Sequence, residues 1–411
     1  MNTTDRREFI PRSIRHKVEE LSSFYPCVLL TGARQVGKST LLRHILPEGM
    51  RYITLDDYQL AEVAKGDPMG FLDAYEGPLC IDEIQHAPEL FRAIKMKVDA
   101  NRQSGMYWMT GSQRFHMMNG VSDSLAGRIG IVDLYSFSQR ELCGDDSAAA
   151  FSPAEPRKSV CRASLCGIRE LYERIWRGGY PAAVRHPDMV YDFFRDYVQT
   201  YLERDVRSLS QVGDLSAFMK LMRSAAMRTG QQLVYSDLAR DAGVSPKTAM
   251  AWVSILQTSG ILELLEPYHV NTTKRLAKTP KLYFTDTGLC CWLAGWRSAD
   301  MLMESPFAGA ILETWVYGQL VRSYANTGVR PGITYYRDLD GAEVDFVLEE
   351  NGGVYPLEVK RSSAPSESDL RWCRKIPVAT WAELKPPTVF CTAEQPRPMM
   401  QGAFAFPISG L

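Results

Sequence analysis

The chain has 411 residues and a formal net charge of -1. That length accommodates two or three domains, each with its own core, and the near-zero charge excludes a global basic field, so any nucleic-acid contact must come from local patches. Nine cysteines are scattered without CxxC pairs, which argues against a disulfide framework or a zinc site. No apolar h-region opens the chain and no apolar run reaches bilayer length, so the expectation is a cytoplasmic protein with no membrane partner.

Residues 1–142 alternate short apolar strands with helical stretches, the pattern of a parallel sheet covered by helices. Strands are predicted at 27–31, 51–55, 78–81, 106–110 and 130–135. Cys27 and Cys80 sit inside two of these runs and read as small core residues. After the first strand, Gly32-Ala33-Arg34-Gln35-Val36-Gly37-Lys38-Ser39-Thr40 fits GxxxxGK[ST] at every fixed position and opens a helix. The glycines let backbone N–H groups curl around phosphates, and the helix N-terminus adds partial positive charge. Lys38 is expected to reach the β- and γ-phosphates of ATP, and the Ser39 hydroxyl to take a magnesium position.

The third strand ends at Asp82-Glu83. A strand-end Asp holds Mg2+ and the adjacent Glu orients the water that attacks the γ-phosphate. On its own the pair reads equally as an acidic turn; about 40 residues beyond a phosphate loop it reads as catalytic. The fourth strand ends Met109-Thr110-Gly111-Ser112-Gln113, where Ser112 or Gln113 is a candidate γ-phosphate sensor and a polar turn is the alternative. Arg128, just before the fifth strand, is either a transition-state arginine, in its own site or a neighbour's, or an ordinary surface arginine. Together these pieces resemble an AAA+ type ATPase over roughly residues 20–142. The resemblance implies a sensor after the fourth strand and puts Arg128 at the position of the finger that completes a neighbour's site, which would make a homo-oligomer one of the partners to expect.

Residues 143–168, rich in Ser, Ala and Pro, are expected to be a linker or mobile insertion. Residues 169–300 follow as a helical block. Within it Ser236–Ser245 reads as a short helix, a glycine turn and a cap, with Pro246 opening the next helix. Ala249, Trp252, Val253 and Leu256 give that helix one buried stripe. This is the outline of a winged helix-turn-helix. Its recognition helix offers only Lys247, whereas the wing offers Lys274, Arg275, Lys278 and Lys281; DNA contact and a structural or protein-binding role both stay open.

Residues 301–411 return to strands near 333–337, 343–348 and 354–360 after a helix at 309–324. Asp345 interrupts one apolar strand, and Glu358 and Lys360 share a face of the next because side chains alternate with period two. A hairpin would bring Asp345 beside Glu358, two carboxylates fit for a hard divalent cation. Glu313 lies in an apolar helix stripe and wants a partner, and a fourth place in a metal site fits it. Lys360 would position a water or stabilise phosphate charge; the alternative is a salt-bridged hairpin. The arrangement resembles the PD-(D/E)xK nuclease fold. The tail after 376 carries no motif.

The whole order resembles the prokaryotic AAA-type ATP-binding proteins with a C-terminal DUF4143 domain, on Gly32–Thr40, Ile81-Asp82-Glu83, Thr110-Gly111-Ser112, Leu125–Arg128, Arg177-Gly178-Gly179-Tyr180-Pro181 and Tyr283–Leu289. The implied fold class is α/β: a P-loop parallel-sheet domain, a helical and winged-helix middle, and a small α/β restriction-endonuclease-like end. The expected function is ATP hydrolysis that gates or drives metal-dependent cleavage of DNA or RNA; the alternative is an ATP-dependent switch whose inactive nuclease fold binds nucleic acid or protein.

Overall fold

The computed structural model describes residues 9–111, 124–201, 206, 212–270, 279–338 and 340–411. The chain divides into two compact units. The first comprises Met1–Ser136 with Thr258–Gly260 and Ala325–Val329; the second comprises Phe137–Gln257, Ile261–Tyr324 and Arg330–Leu411.

The first unit is built on β1 (Cys27–Thr31), β2 (Arg51–Thr54), β3 (Leu79–Asp82), β4 (Tyr107–Thr110) and β5 (Ile129–Asp133). They pair in parallel in the order β2-β3-β4-β1-β5. All five predicted strands are present within a residue or two of their expected ends. β1, β3 and β4 lie inside the sheet and are buried along their whole length, as a sheet covered by helices requires. Cys27, Leu29, Leu79, Ile81 and Met109 pack with Phe91 and Ile94 of the helix Leu90–Ala100 in one core. Because every strand runs the same way, Gly32, Asp82 and Thr110 come to one edge, the carboxyl edge where such sheets bind ligands.

The second unit begins with helices. Tyr235–Ala242 turns at Gly243 into Pro246–Thr258, with the Ser245 hydroxyl accepting from the Thr248 N–H at 3.1 Å. The expected stripe of Ala249, Trp252, Val253 and Leu256 is buried. β6 (Gln231–Gln232), β7 (Leu262–Leu265) and β8 (Lys281–Phe284) form a small antiparallel sheet ordered β6-β8-β7. The helix Ala308–Ala325 precedes β9 (Ile333–Arg337), β10 (Glu343–Glu350) and β11 (Gly353–Lys360), which pair antiparallel. β12 (Glu383–Leu384) and β13 (Thr388–Cys391) both pair with β11, while β14 (Arg397–Pro398) flanks β15 (Phe404–Pro407) at the far edge.

Two segments differ from their sequence reading. The 143–168 stretch is pinned rather than free: Phe151 is 2% exposed between Phe390 and Phe406, and its carbonyl accepts from the Tyr324 hydroxyl at 2.7 Å. Farther along, the Cys161 N–H donates to the Gly410 carbonyl at 2.8 Å and the Cys166 N–H to the Ser409 hydroxyl at 3.2 Å. The motifless tail after 376 supplies the sheet's interior, with Val389, Phe390, Cys391, Ala405 and Phe406 fully buried. Among the described residues no helix is long and apolar enough to cross a membrane.

Candidate functional site

The phosphate loop joins β1 to the helix Lys38–Ile45. Gly32, Gln35 and Gly37 have φ of 144°, 59° and 100°, which curls the loop back on itself. A Cβ on Gly32 would stand 2.1 Å from the Leu134 carbonyl oxygen, so glycine is required there. The Lys38 ammonium, 5% exposed, donates to the carbonyls of Gly32 at 3.0 Å and Ala33 at 2.8 Å. Arg34 is partly buried, Gln35 and Thr40 are exposed, and the Val36 carbonyl accepts from Arg12 at 3.0 Å. Arg12 also donates to the Tyr135 carbonyl at 2.6 Å, stapling the loop to the chain beyond β5.

Asp82 is 3% exposed at the tip of β3. Its Oδ1 accepts from the Ser39 hydroxyl at 3.0 Å and from the Thr110 hydroxyl, and its Oδ2 from Tyr52. A serine hydroxyl and a carboxylate meeting at the helix N-terminus are the oxygen donors magnesium prefers, so the residues present fit that ion. Glu83 takes a left-handed backbone, φ 57°, of the kind found at functional sites. Its N–H donates to the Thr110 hydroxyl at 3.0 Å, and the Gln85 amide holds its carboxylate. Ser112 and Gln113 lie outside the described residues.

In the second unit the β10–β11 register pairs Phe346 with Leu357, which continues to Asp345 opposite Glu358. The β9–β10 pairing shifts between Val344 and Val347, a bulge beside Asp345. Asp345 Oδ2 accepts from the Val359 N–H at 2.8 Å, and Lys360 donates to Glu358. Glu313, on the helix Ala308–Ala325, accepts from the Tyr283 hydroxyl and from Lys281 at 3.0 Å. Lys281 was expected among the basic residues of the wing, of which Lys274, Arg275 and Lys278 lie outside the described residues. It is 2% exposed, and its ammonium also pairs with Glu343 at 2.6 Å.

Burial governs these acids, because it penalises the charged form. It raises Glu313 to about 7, helped by Asp345 and opposed by Lys281 and Tyr283. It raises Glu358 to about 8, again with Asp345 and against Lys360. Asp345 is raised by burial, while Lys281, the Val359 N–H and Lys360 hold it down. Burial disfavours the Lys281 charge, but Glu313, Asp345 and Glu343 outweigh it and lift that lysine above its ordinary range. Among the described residues no three His, Cys, Asp or Glu side chains are gathered as a metal-binding group. Of the expected ligands, Glu313 pairs with Lys281 and Glu358 with Lys360, while Asp345 accepts from the Val359 N–H.

An AAA domain model matches residues 25–143, a domain of unknown function, DUF8612, matches 168–300, and a second, DUF4143, matches 308–411. An uncharacterized protein of Mycobacterium tuberculosis is 31% identical over 349 residues, covering 84% of this chain and 72% of the relative; its Mycobacterium bovis counterpart matches equally. The chain belongs to the AAA-type ATP-binding proteins with a C-terminal DUF4143 domain. Among solved structures, the Walker-type ATPase of Pyrococcus abyssi matches at 14% identity and a TM-score of 0.44, over 69% of this chain and 98% of that one. The RuvB Holliday junction branch migration motor of Thermotoga maritima matches at 19% identity and a TM-score of 0.30, over 61% and 86%.

Within this AAA–DUF4143 chain, Arg128 stands apart from the other expected residues of the ATPase site. It precedes β5, and its carbonyl accepts from the N–H of Cys27, the first residue of β1, whereas the phosphate loop follows the last. About 16 Å of strand separates the two ends. Its side chain pairs with Asp99 at 2.6 Å. Sequence reasoning missed Arg12, Tyr52, Thr110 and Gln85. The polar tip of β4 was the one signal available for Thr110.

Proposed function

We propose that this chain is a magnesium-dependent ATPase acting as a nucleotide-driven switch, with the winged-helix segment and the nuclease-like C-terminal fold as its output. The observation that carries the reading is the Ser39–Asp82 contact beside the buried Lys38 ammonium. Lys38 and the loop N–H groups would bind the β- and γ-phosphates, and Ser39 and Asp82 would hold magnesium, which neutralises phosphate charge when bound. Glu83, fixed by Thr110 and Gln85, orients the attacking water and accepts its proton. Arg128, at the opposite sheet edge, acts in this reading on a neighbouring copy. ATP turnover by the parent, Lys38→Ala and Glu83→Gln tests it: both variants should lose turnover, and Glu83→Gln should still bind nucleotide. Turnover surviving in Lys38→Ala rules the site out.

The switch is preferred to a nuclease because the Lys281 and Lys360 ammonium groups already engage Glu313, Glu343 and Glu358. One observation favours the second reading, metal-dependent cleavage of nucleic acid: Asp345 lies opposite Glu358, with Lys360 on the same face. Magnesium-dependent cleavage of single-stranded, double-stranded or branched DNA or RNA, lost in Asp345→Ala, would establish that reading. Intact ATP turnover without cleavage of any of them leaves the switch.

A further inference from the structure

Asp82 is a nearly buried carboxylate, and such a group is costly unless donors surround it. Its three hydroxyl donors come from three different elements. Ser39 from the phosphate-loop helix and Thr110 from β4 converge on Oδ1; Tyr52 from β2 holds Oδ2. A phenol is neutral at physiological pH and donates to a carboxylate, as Tyr52 does to Asp82. The Arg43 guanidinium lies over the Tyr52 ring at 4.4 Å, on the same helix that carries Lys38 and Ser39.

The torsion that turns a carboxylate about its Cβ–Cγ bond is broad, so one oxygen needs an anchor if the other is to keep its direction. Ser39 and Thr110 both depend on Oδ1, and Thr110 also receives the Glu83 N–H. A rotation of Asp82 would therefore reach Glu83 through Thr110.

We propose that Tyr52 is a positioning residue of the ATPase site: by anchoring Asp82 Oδ2 it keeps Oδ1 aimed at Ser39 and keeps Glu83 in register. The proposal rests on the reading of Ser39 and Asp82 as the magnesium pair. Tyr52→Phe deletes only the hydroxyl and leaves the ring under Arg43. Expected are a fall in kcat of roughly tenfold, the scale of one hydrogen bond to a charged group, and a higher magnesium half-saturation. The KM for ATP should change less than about twofold, because Asp82 does not bind the phosphates directly.

A second measurement needs no turnover. The affinity of a fluorescent ADP analogue is titrated with and without magnesium, and the gain on adding magnesium should shrink in Tyr52→Phe. Thr110→Val should share the Tyr52→Phe defect, and Thr110→Ser, which keeps a hydroxyl, should retain more of the magnesium-linked gain than Thr110→Val. An unchanged magnesium dependence in both measurements overturns the proposal, even if kcat falls. A parent that hydrolyses no ATP overturns the ATPase reading instead, and the magnesium-linked gain in affinity still decides the role of Tyr52. Should Tyr52→Phe fail to fold, the Thr110 pair decides whether the Asp82 donors set the magnesium dependence, and Arg43→Met, which frees the tyrosine ring, must reproduce a weaker form of the defect.

Discussion

Replacing Lys281 with methionine should destabilise the second unit, and by an amount that depends on pH. The ammonium is nearly buried and serves two carboxylates, Glu313 at 3.0 Å and Glu343 at 2.6 Å. Removing one partner from a buried ion pair costs about 3–5 kcal/mol, because the remaining charge is stranded. At about 2–4 °C per kcal/mol for a unit of this size, the melting temperature should fall by roughly 6–20 °C. Protonation limits the loss. Glu313 sits near 7 in the parent through burial, with Lys281 opposing; without the lysine it rises further. Its folded pKa lies above the ordinary 4.5, so it favours the folded state below 4.5, and that contribution is lost as pH rises through 7. Glu358, near 8, acts in the same direction. The parent should therefore melt higher at pH 5 than at pH 8, and the deficit of Lys281→Met should be small at pH 5 and largest at pH 8. Calorimetry at pH 5, 6.5 and 8 reads this directly. Equal melting of parent and variant at pH 8 would refute the buried pairing.

Three further outcomes follow from the geometry. Gly32→Ala forces a Cβ to 2.1 Å from the Leu134 carbonyl at φ 144°, so nucleotide affinity should fall more than about tenfold with strain of about 1–3 kcal/mol, by calorimetric titration and thermal melting. Arg128→Ala should leave nucleotide affinity unchanged and lower turnover only at protein concentrations where copies associate, read from turnover against concentration; its partly exposed pair with Asp99 is worth under about 1 kcal/mol. Gly178→Ala places a Cβ 2.3 Å from Asp286 Oδ1 at φ 73° and should destabilise the second unit by at least about 1 kcal/mol, measured by thermal melting, without changing nucleotide affinity.

The parallel sheet was legible because its buried strands are short apolar runs and its phosphate loop needs fixed residue types at fixed places. Asp345, Glu358 and Lys360 were legible for a similar reason, since strand alternation alone sets which side chains share a face. What escaped has partners far along the chain. Arg12 holds two backbone carbonyls, 24 and 123 residues away, and a carbonyl has no side-chain signature. Tyr52 reaches Asp82 only because β2 pairs with β3. Lys281 was grouped with the basic residues before it, although it opens Lys-Leu-Tyr-Phe, a strand buried on both faces. Composition misled at 143–168, where Phe151 is buried, and beyond 376, where interior strands carry no chemical motif.

The Arg177–Pro181 and Tyr283–Leu289 motifs acquire a physical meaning that neither has alone. Asp286, 2% exposed, accepts from the N–H groups of Gly179 at 2.9 Å, Gly288 at 3.0 Å and Leu289 at 3.2 Å. The Thr287 hydroxyl donates to the Ile175 carbonyl at 2.7 Å. A Cβ on Gly288 would stand 2.4 Å from the Arg177 carbonyl, so the two turns approach as closely as glycine allows. The Asp286 carboxylate and the Thr287 hydroxyl thereby tie the two turns together. The same segment also serves the acidic cluster: Tyr283 donates to Glu313, and Arg322, on the helix that carries Glu313, donates to the Thr285 carbonyl at 2.6 Å. One short stretch, 281–289, thus carries both the lysine that pairs with Glu313 and Glu343 and the aspartate that locks the glycine turn. Both ends pack on the helix Ala308–Ala325, which is buried along nearly its whole length.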